Sequence, residues 1–416
     1  MKLKYIIFIL FGYIATAQQS ITLNECYDLL TENYPLLKQG EFIEQQNQLD
    51  LEILDNKRKP TIELLAQASY QSDVTSLPIS IPNIEIEEPN NEQYRASVNV
   101  NQLIYDGGLL KATENAKKNS TNSRKKELEV SVYQLRLKLN QLYYSVLSLQ
   151  EKEALLKLKL NLLQTKLKEV KAGIKYGVLL PSQDDIIEAE MLKIDQLIDG
   201  NIISKTNLKN TISQLINKDI NMYDFDESDV SISLSNDLKR PELDLFNLKK
   251  EEITNNSKIF DYKNKPKLFG FAQGGVGNPA LNMLDNSFQP YYVVGLKLKW
   301  NPFDWNTTKK EQQKLLINQN YIDNQQEIFE LNTKIELTNQ QSQIENLNKQ
   351  IKSDLDIITL RKRILKTVDS QLRNGVITAS IYITELTNLT EAEINLKTHK
   401  IQLTLAKANY NTLLGN

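Results

Sequence analysis

The chain has one cysteine, one histidine, and no long apolar run. A single thiol, Cys26, excludes an internal disulfide, and by the ordinary behaviour of free cysteine it reads as a small buried apolar group. A single imidazole, His399, excludes a Ser-His-acid set built on any second histidine. One His and one distant Cys also do not make a transition-metal site, so His399 reads as a packed or half-exposed helix residue. No cofactor and no enzymatic chemistry are expected. The 50 basic and 52 acidic side chains nearly cancel, for a net charge of −2. That balance lacks the basic stripe of a nucleic-acid binder, and no block of like charge suggests a polyanion-binding tail. The opening "MKLKYIIFILFGYIATAQQS" has Lys2 and Lys4, an apolar stretch from Tyr5 to Ile14 and a small-residue site at Ala15-Thr16-Ala17. It reads as a signal peptide over residues 1–17, leaving 18–416 as the mature chain. No other stretch reaches the roughly 18 apolar residues of a membrane-crossing helix. If the chain enters a membrane, it must do so as strands.

Glycine and proline are also missing from residues 109–172. So long an uninterrupted run predicts a helix far beyond the roughly 11–12 residues of an average one. It should break at Gly173 and Gly177, turn through Pro181, and resume as a helix capped by Ser182. "RNGVITASIY" repeats the event at Gly375, 198 positions after Gly177. The same offset separates Tyr105-Asp106 from Phe303-Asp304, and Pro60 is matched by Pro266 at an offset of 206. Landmarks in one order at matched spacing imply an internal duplication. The first repeat covers about 22–217, a connecting segment about 218–240, and the second repeat about 241–416. The extra residues of the first copy belong in a surface loop.

Each repeat follows one grammar: helix, strand, loop, strand, very long helix, tight turn, helix. Residues 22–57 form the first helix. Strands are expected at about 61–70, 94–104, 267–276 and 291–300, from alternation such as Tyr94, Ala96, Val98, Val100 against Arg95, Ser97, Asn99, Asn101. Phe269 and Phe271 weaken the third strand because they fall on the polar parity. The long helix carries a seam stepping by four and three: Leu128, Val132, Leu135, Leu139, Leu142, Val146, Leu149, Glu153, Leu156, Leu160, Leu163, Leu167, Val170. This is coiled-coil spacing with one charged interruption. A second, partly apolar row (Val130, Tyr133, Leu137, Tyr144, Leu147) suits a helix packed between two neighbours. Helices of this length would set the tight turns at one end of a rod and the strands at the other.

The strands match the 9–11 residues of a tilted transmembrane strand, and aromatics such as Tyr70, Tyr94, Tyr292, Trp300 and Trp305 flank them as belts. Four strands cannot close a barrel, and unpaired edges are intolerable in lipid. Copies must therefore pool strands, eight from two or twelve from three, and the strand count alone does not choose. On the polar parity, Glu63, Gln67, Arg95, Asn99, Lys297 and Lys299 are expected to face the barrel lumen; Val98, Val100, Leu296 and Leu298 are expected to face lipid.

The repeated grammar, the opening "TLNECYDLLTENYPLLK", the "NQLIYDGG" junction and the paired "YGVLLPS" and "NGVITAS" turns resemble the outer membrane efflux protein family, the TolC-like channel-tunnels. The resemblance spans essentially the whole mature chain. It implies a mainly α fold with a small β portion: a long coiled-coil α-helical barrel plus a transmembrane β-barrel pooled from four strands per protomer, internally duplicated. It further implies a homotrimer in the outer membrane of a Gram-negative bacterium, and a passive exit duct in tripartite efflux or type I secretion. The partners would be a periplasmic adaptor (membrane fusion protein), an inner-membrane pump and outer membrane lipid, with no nucleic acid. The adaptor-docking tip carries over to Gly177, Val178, Leu179, Leu180, Pro181 and Ser182, and to Gly375, Val376, Ile377, Thr378, Ala379 and Ser380. Where some members have acidic gate residues, this chain has Ile381 and Thr384. Asp184, Asp185, Arg373 and Glu385 lie nearby and are candidates for a tip constriction, against the plainer reading of a solvated helix end. The rival class, a periplasmic coiled-coil adaptor or structural envelope protein, would need a lipoyl-like β domain or no aromatic-flanked strands at all.

Overall fold

A computed structural model describes residues 20–75, 88–227, 230–232 and 237–416. The signal peptide at 1–17 lies outside the described residues. In chain order the elements are β1 (Ser20–Ile21), α1 (Leu23–Asn33), a 3-10 turn (Pro35–Leu37), α2 (Lys38–Asn56), β2 (Thr61–Tyr70), β3 (Glu92–Tyr105), α3 (Leu109–Lys175), α4 (Gln183–Ile216), β4 (Asp224–Phe225), α5 (Pro241–Lys263), β5 (Lys267–Asn278), β6 (Gln289–Lys299), α6 (Thr307–Arg373) and α7 (Ala379–Leu414). They divide into two compact units. One holds residues up to Leu37, Glu129–Pro241 and Phe329–Asn416; the other holds Lys38–Leu128 and Glu242–Ile328. Helices α3 and α6, each of 67 residues, contribute to both.

The expected first helix over 22–57 is two helices. Thr22 caps α1 through a capping box with Glu25. The helix then stops at Tyr34, which is extended, because Pro35 excludes the helical backbone for the residue before it and lacks an N–H. The connecting segment also holds an element that was not expected. There, β4 pairs in parallel with β1, Ser20 with Asp224 and Ile21 with Phe225. Tyr143 of α3 fastens this ribbon: its buried hydroxyl lies 2.8 Å from the Ile21 carbonyl and 2.9 Å from that of Asp226.

In this helical unit the seam is core. Val132, Leu139 and Val146 join Leu30, Ile212, Ile216 and Phe225 in one cluster. Leu156, Leu163 and Val170 join Ile187, Ile194, Leu372 and Tyr382 in another. Each fully buried aliphatic chain of this kind stabilises by about 1.5–3 kcal/mol. The interruption at Glu153 is a buried carboxylate flanked by Lys157 and Lys205. Burial works against its ionisation, but the two ammonium groups prevail and hold it below the usual carboxylate range. His399 lies on the C-terminal seam with Nδ1 2.7 Å from Asp354.

The other unit contains a four-stranded antiparallel sheet in the order β2-β3-β5-β6. Both edges, β2 and β6, are unpaired among the described residues. Asp106 and Asp304 explain the matched landmarks in sequence. Asp106 accepts the backbone N–H groups of Gly108 and Leu110 at the start of α3. Asp304 accepts the N–H of Thr308 and the Asn264 amide at the start of α6. Hydrogen bonds from Thr308 and then Asn264 lower the Asp304 carboxyl to about 2. Facing helices carry ion pairs, Lys117–Asp50 at 2.9 Å, Lys249–Glu127 at 2.8 Å and Lys250–Asp323 at 2.6 Å. Such exposed pairs add only about 0–1 kcal/mol each.

Candidate functional site

Helix α3 runs through Gly173 and ends at Lys175, so the expected break at Gly173 does not occur. Gly173 instead leaves room for the Leu179 side chain: an added Cβ would stand 2.8 Å from Leu179 Cδ1. The reversal belongs to Gly177, at φ 72°. Its N–H donates to the Ile174 carbonyl at 3.0 Å, and the N–H of Val178 donates to that of Gly173 at 2.9 Å. This double closure is a Schellman motif, which requires a left-handed residue at the position Gly177 fills. The second turn repeats it bond for bond. Gly375 has φ 70°, its N–H reaches the Leu372 carbonyl at 3.0 Å, and the Val376 N–H reaches that of Gln371 at 2.9 Å.

Ser182 does not cap α4. Its backbone is left-handed, φ 71°, and its side chain makes no cap bond, because a side-chain cap needs an extended N-cap residue. Thr378, before α7, is extended but also makes no side-chain cap bond. The cap comes from the first hairpin, where buried Gln183 accepts the Ala379 N–H through Oε1 at 2.6 Å. Nothing at Gln183 marked it in the sequence.

Of the apolar tip residues, Val178, Leu180 and Val376 are 52, 70 and 69 % exposed. Pro181, Ser182, Thr378 and Ser380 are exposed as well. Leu179 and Ile377 instead turn inward against the core, and Ala379 is fully buried. The exposed apolar surface of the tip is thus Val178, Leu180, Pro181 and Val376. The reason is geometric: a reversing chain points alternate residues back between the helices it joins.

Among the described residues no hydrogen bond or ion pair joins Asp184, Asp185, Arg373 and Glu385 to one another. Arg373 Nε is 3.1 Å from Asp369 and 3.6 Å from Glu169. Glu385 accepts from Arg361 at 2.9 Å. Asp184 and Asp185 stand in the first turn of α4, where the helix dipole favours anions. The charge cluster that does form is centred on buried Lys166, whose ammonium bonds to Glu169 and Asp369 and lies 5.1 Å from the centre of the Tyr382 ring. Burial, then Asp369 and Glu169, push the Tyr382 phenol up to about 12. A cavity of about 380 Å³ opens beside it, lined in part by Lys166, Glu169, Leu179 and Arg373. Sequence reading missed this cluster. A signal was present in Lys159 and Lys166, one heptad apart, and Lys159 is likewise buried and paired, with Glu190 at 2.7 Å.

On the sheet, the register puts Glu63 opposite Asn99 and Gln67 opposite Arg95. The same face continues through Gln273, and through Lys267 opposite Lys299. Phe271 also lies there and occupies the space over Gly295, whose missing Cβ would be 2.9 Å from the ring. That pairing explains how bulky rings sit on the polar parity. The other face carries Ile62, Leu64, Val294 and Leu296, each more than 70 % exposed. Among the described residues no His, Cys, Asp and Glu group could hold a metal ion, and no helix is long and apolar enough to cross a membrane.

Part of the sequence and most of the fold are similar to known proteins. Residues 26–179 match the outer membrane efflux protein family. A likeness of fold extends over nearly the whole chain. The outer membrane protein VceC from Vibrio cholerae superposes with a TM-score of 0.64 at 13 % identity, covering 94 % of this chain and 95 % of that one. CusC gives 0.68 at 12 % identity, over 94 % of this chain and 91 % of the other. The MtrE outer membrane channel of Neisseria gonorrhoeae gives 0.63 at 15 % identity, over 95 % and 89 %. The chain therefore has the fold of these outer membrane proteins, mainly α with a small β portion. No curated protein sequence matches it.

Proposed function

We propose that three copies of this chain form an outer membrane channel, a passive exit duct from periplasm to exterior in tripartite efflux or type I secretion. The observation that carries the reading is the sheet. Its apolar face is exposed, its opposite face carries the charged side chains, and both its edges are open among the described residues. Such a sheet is stable in lipid only when copies close it into a barrel. Exposed apolar side chains on α6, including Leu316, Ile317 and Tyr321, provide surface for neighbouring copies. A periplasmic adaptor docks at the two tip turns through Val178, Leu180 and Val376, and an inner-membrane pump supplies the cargo. The mature chain is read as two repeats, about 22–217 and 241–416. Glu63, Gln67, Arg95, Asn99, Lys297 and Lys299 line the lumen.

The mass of the detergent-solubilised complex tests the assembly, with a trimer expected; a dimeric mass overturns it. The facing is tested by Val100→Lys and Asn99→Lys. A cation at mid-bilayer on the lipid face costs about 2–4 kcal/mol, so Val100→Lys is expected to reduce assembled trimer on a native gel while Asn99→Lys does not. Equal assembly of both variants overturns the assignment.

A further inference from the structure

We propose that Lys267, Lys297 and Lys299 form a basic collar that makes the pore prefer anions, and that the cargo class it favours is organic anions with an aromatic or apolar part. The inference rests on the lumen assignment above.

Lys267 is the first residue of β5 and Lys299 the last of β6, and they are directly opposed in the ladder. Lys297 is two residues from Lys299, on the same face and opposite Phe269. Three ammonium groups thus share one patch at the end of the sheet that adjoins α5 and α6 in sequence. Like charges at opposed positions destabilise a sheet. Beyond the backbone ladder, none of the three ammonium groups has an ion-pair or hydrogen-bond partner among the described residues. The carboxylates flanking these strands in sequence are engaged elsewhere: Asp261 accepts from Gln312 at 2.7 Å, and Asp304 from Asn264 and Thr308. On the polar face of the four strands Arg95 adds a further cation. The single carboxylate there, Glu63, lies on the far edge strand opposite Asn99.

An uncompensated basic patch is accounted for where it faces mobile anions. A low-dielectric wall lined by one sign of charge focuses the field and raises the local counter-ion concentration, and rings of lysine or arginine are a general device for anion pores. Closing the barrel with further copies turns the patch into a ring. Phe269 and Phe271 lie on the same face beside the lysines, so a solute with a carboxylate or sulfonate and an apolar body would meet both partners at once.

The test is the reversal potential of the purified assembly in planar bilayers under a potassium chloride gradient. The unmodified channel is expected to favour chloride over potassium by roughly two- to five-fold at low salt, with the preference fading as salt screens the collar. Lys267→Gln/Lys297→Gln/Lys299→Gln is expected to bring the ratio close to unity, Lys297→Glu/Lys299→Glu to invert it, and Lys297→Arg to leave it intact. Each variant is first checked for the same complex mass as the parent. Conductance steps with a ratio that none of these changes moves overturn the collar while leaving the channel standing. Absence of any conductance overturns the channel reading itself, and the collar falls with it.

Discussion

The two tip turns share a backbone and differ in what surrounds it. Gly177 and Gly375 have φ angles of 72° and 70° and close the same pair of hydrogen bonds. Yet a Cβ added at Gly177 would meet nothing within 4 Å, whereas one at Gly375 would stand 2.7 Å from the Val178 carbonyl oxygen. The first turn leaves open space at Gly177 itself. The second is packed against the first, and its returning helix takes its cap from Gln183 on the other hairpin. The local chemistry of the reversal is the same in both turns, and packing makes the second depend on the first.

The strongest way to break this asymmetry is Gly375→Val. It combines a β-branched residue at positive φ with a collision against backbone, and is expected to cost about 2–4 kcal/mol. Thermal unfolding should show the loss, and export should fall in a cellular efflux assay. A variant as stable as the parent would mean that the two turns do not touch. Next comes Gln183→Ala, which leaves the Ala379 N–H buried without a partner. About 1–3 kcal/mol is expected, and hydrogen exchange at Ala379 should accelerate while the start of α4 is unchanged. Gly177→Ala carries only the left-handed penalty of about 1–2 kcal/mol, so its loss in a denaturant titration should be clearly smaller than that of Gly375→Ala. Equal losses would erase the distinction. The smallest effect belongs to Ser182→Gly. Because Ser182 already sits at φ 71° with no side-chain cap bond, glycine should be neutral or stabilising by up to about 1 kcal/mol, read as an unchanged or raised midpoint.

Much of the architecture was legible because it depends on local pattern. The seam from Val132 to Val170 became core because its four-and-three spacing puts those side chains on one helix face. The alternation along β3 survives because a strand must send neighbours to opposite faces. Failures came where a residue's role depends on something distant in sequence. Pro35 is the local exception, a helix breaker set within an otherwise periodic run. Tyr143 reads as an ordinary helix aromatic until its hydroxyl is found between Ile21 and Asp226, 122 and 83 residues away. Lys166 reads as a solvated charge until Asp369 arrives from α6.

By itself, the sequence determined the long uninterrupted helices, the two-faced strands and the two glycine reversals. Each follows from steric limits and periodicity acting over a few residues. Only the tertiary structure decided which tip side chains stay exposed, which hairpin caps which, and where the buried lysines find carboxylates. Those outcomes depend on which elements meet: a hydrogen bond or ion pair spanning some 200 residues leaves no spacing in the chain from which it could be read.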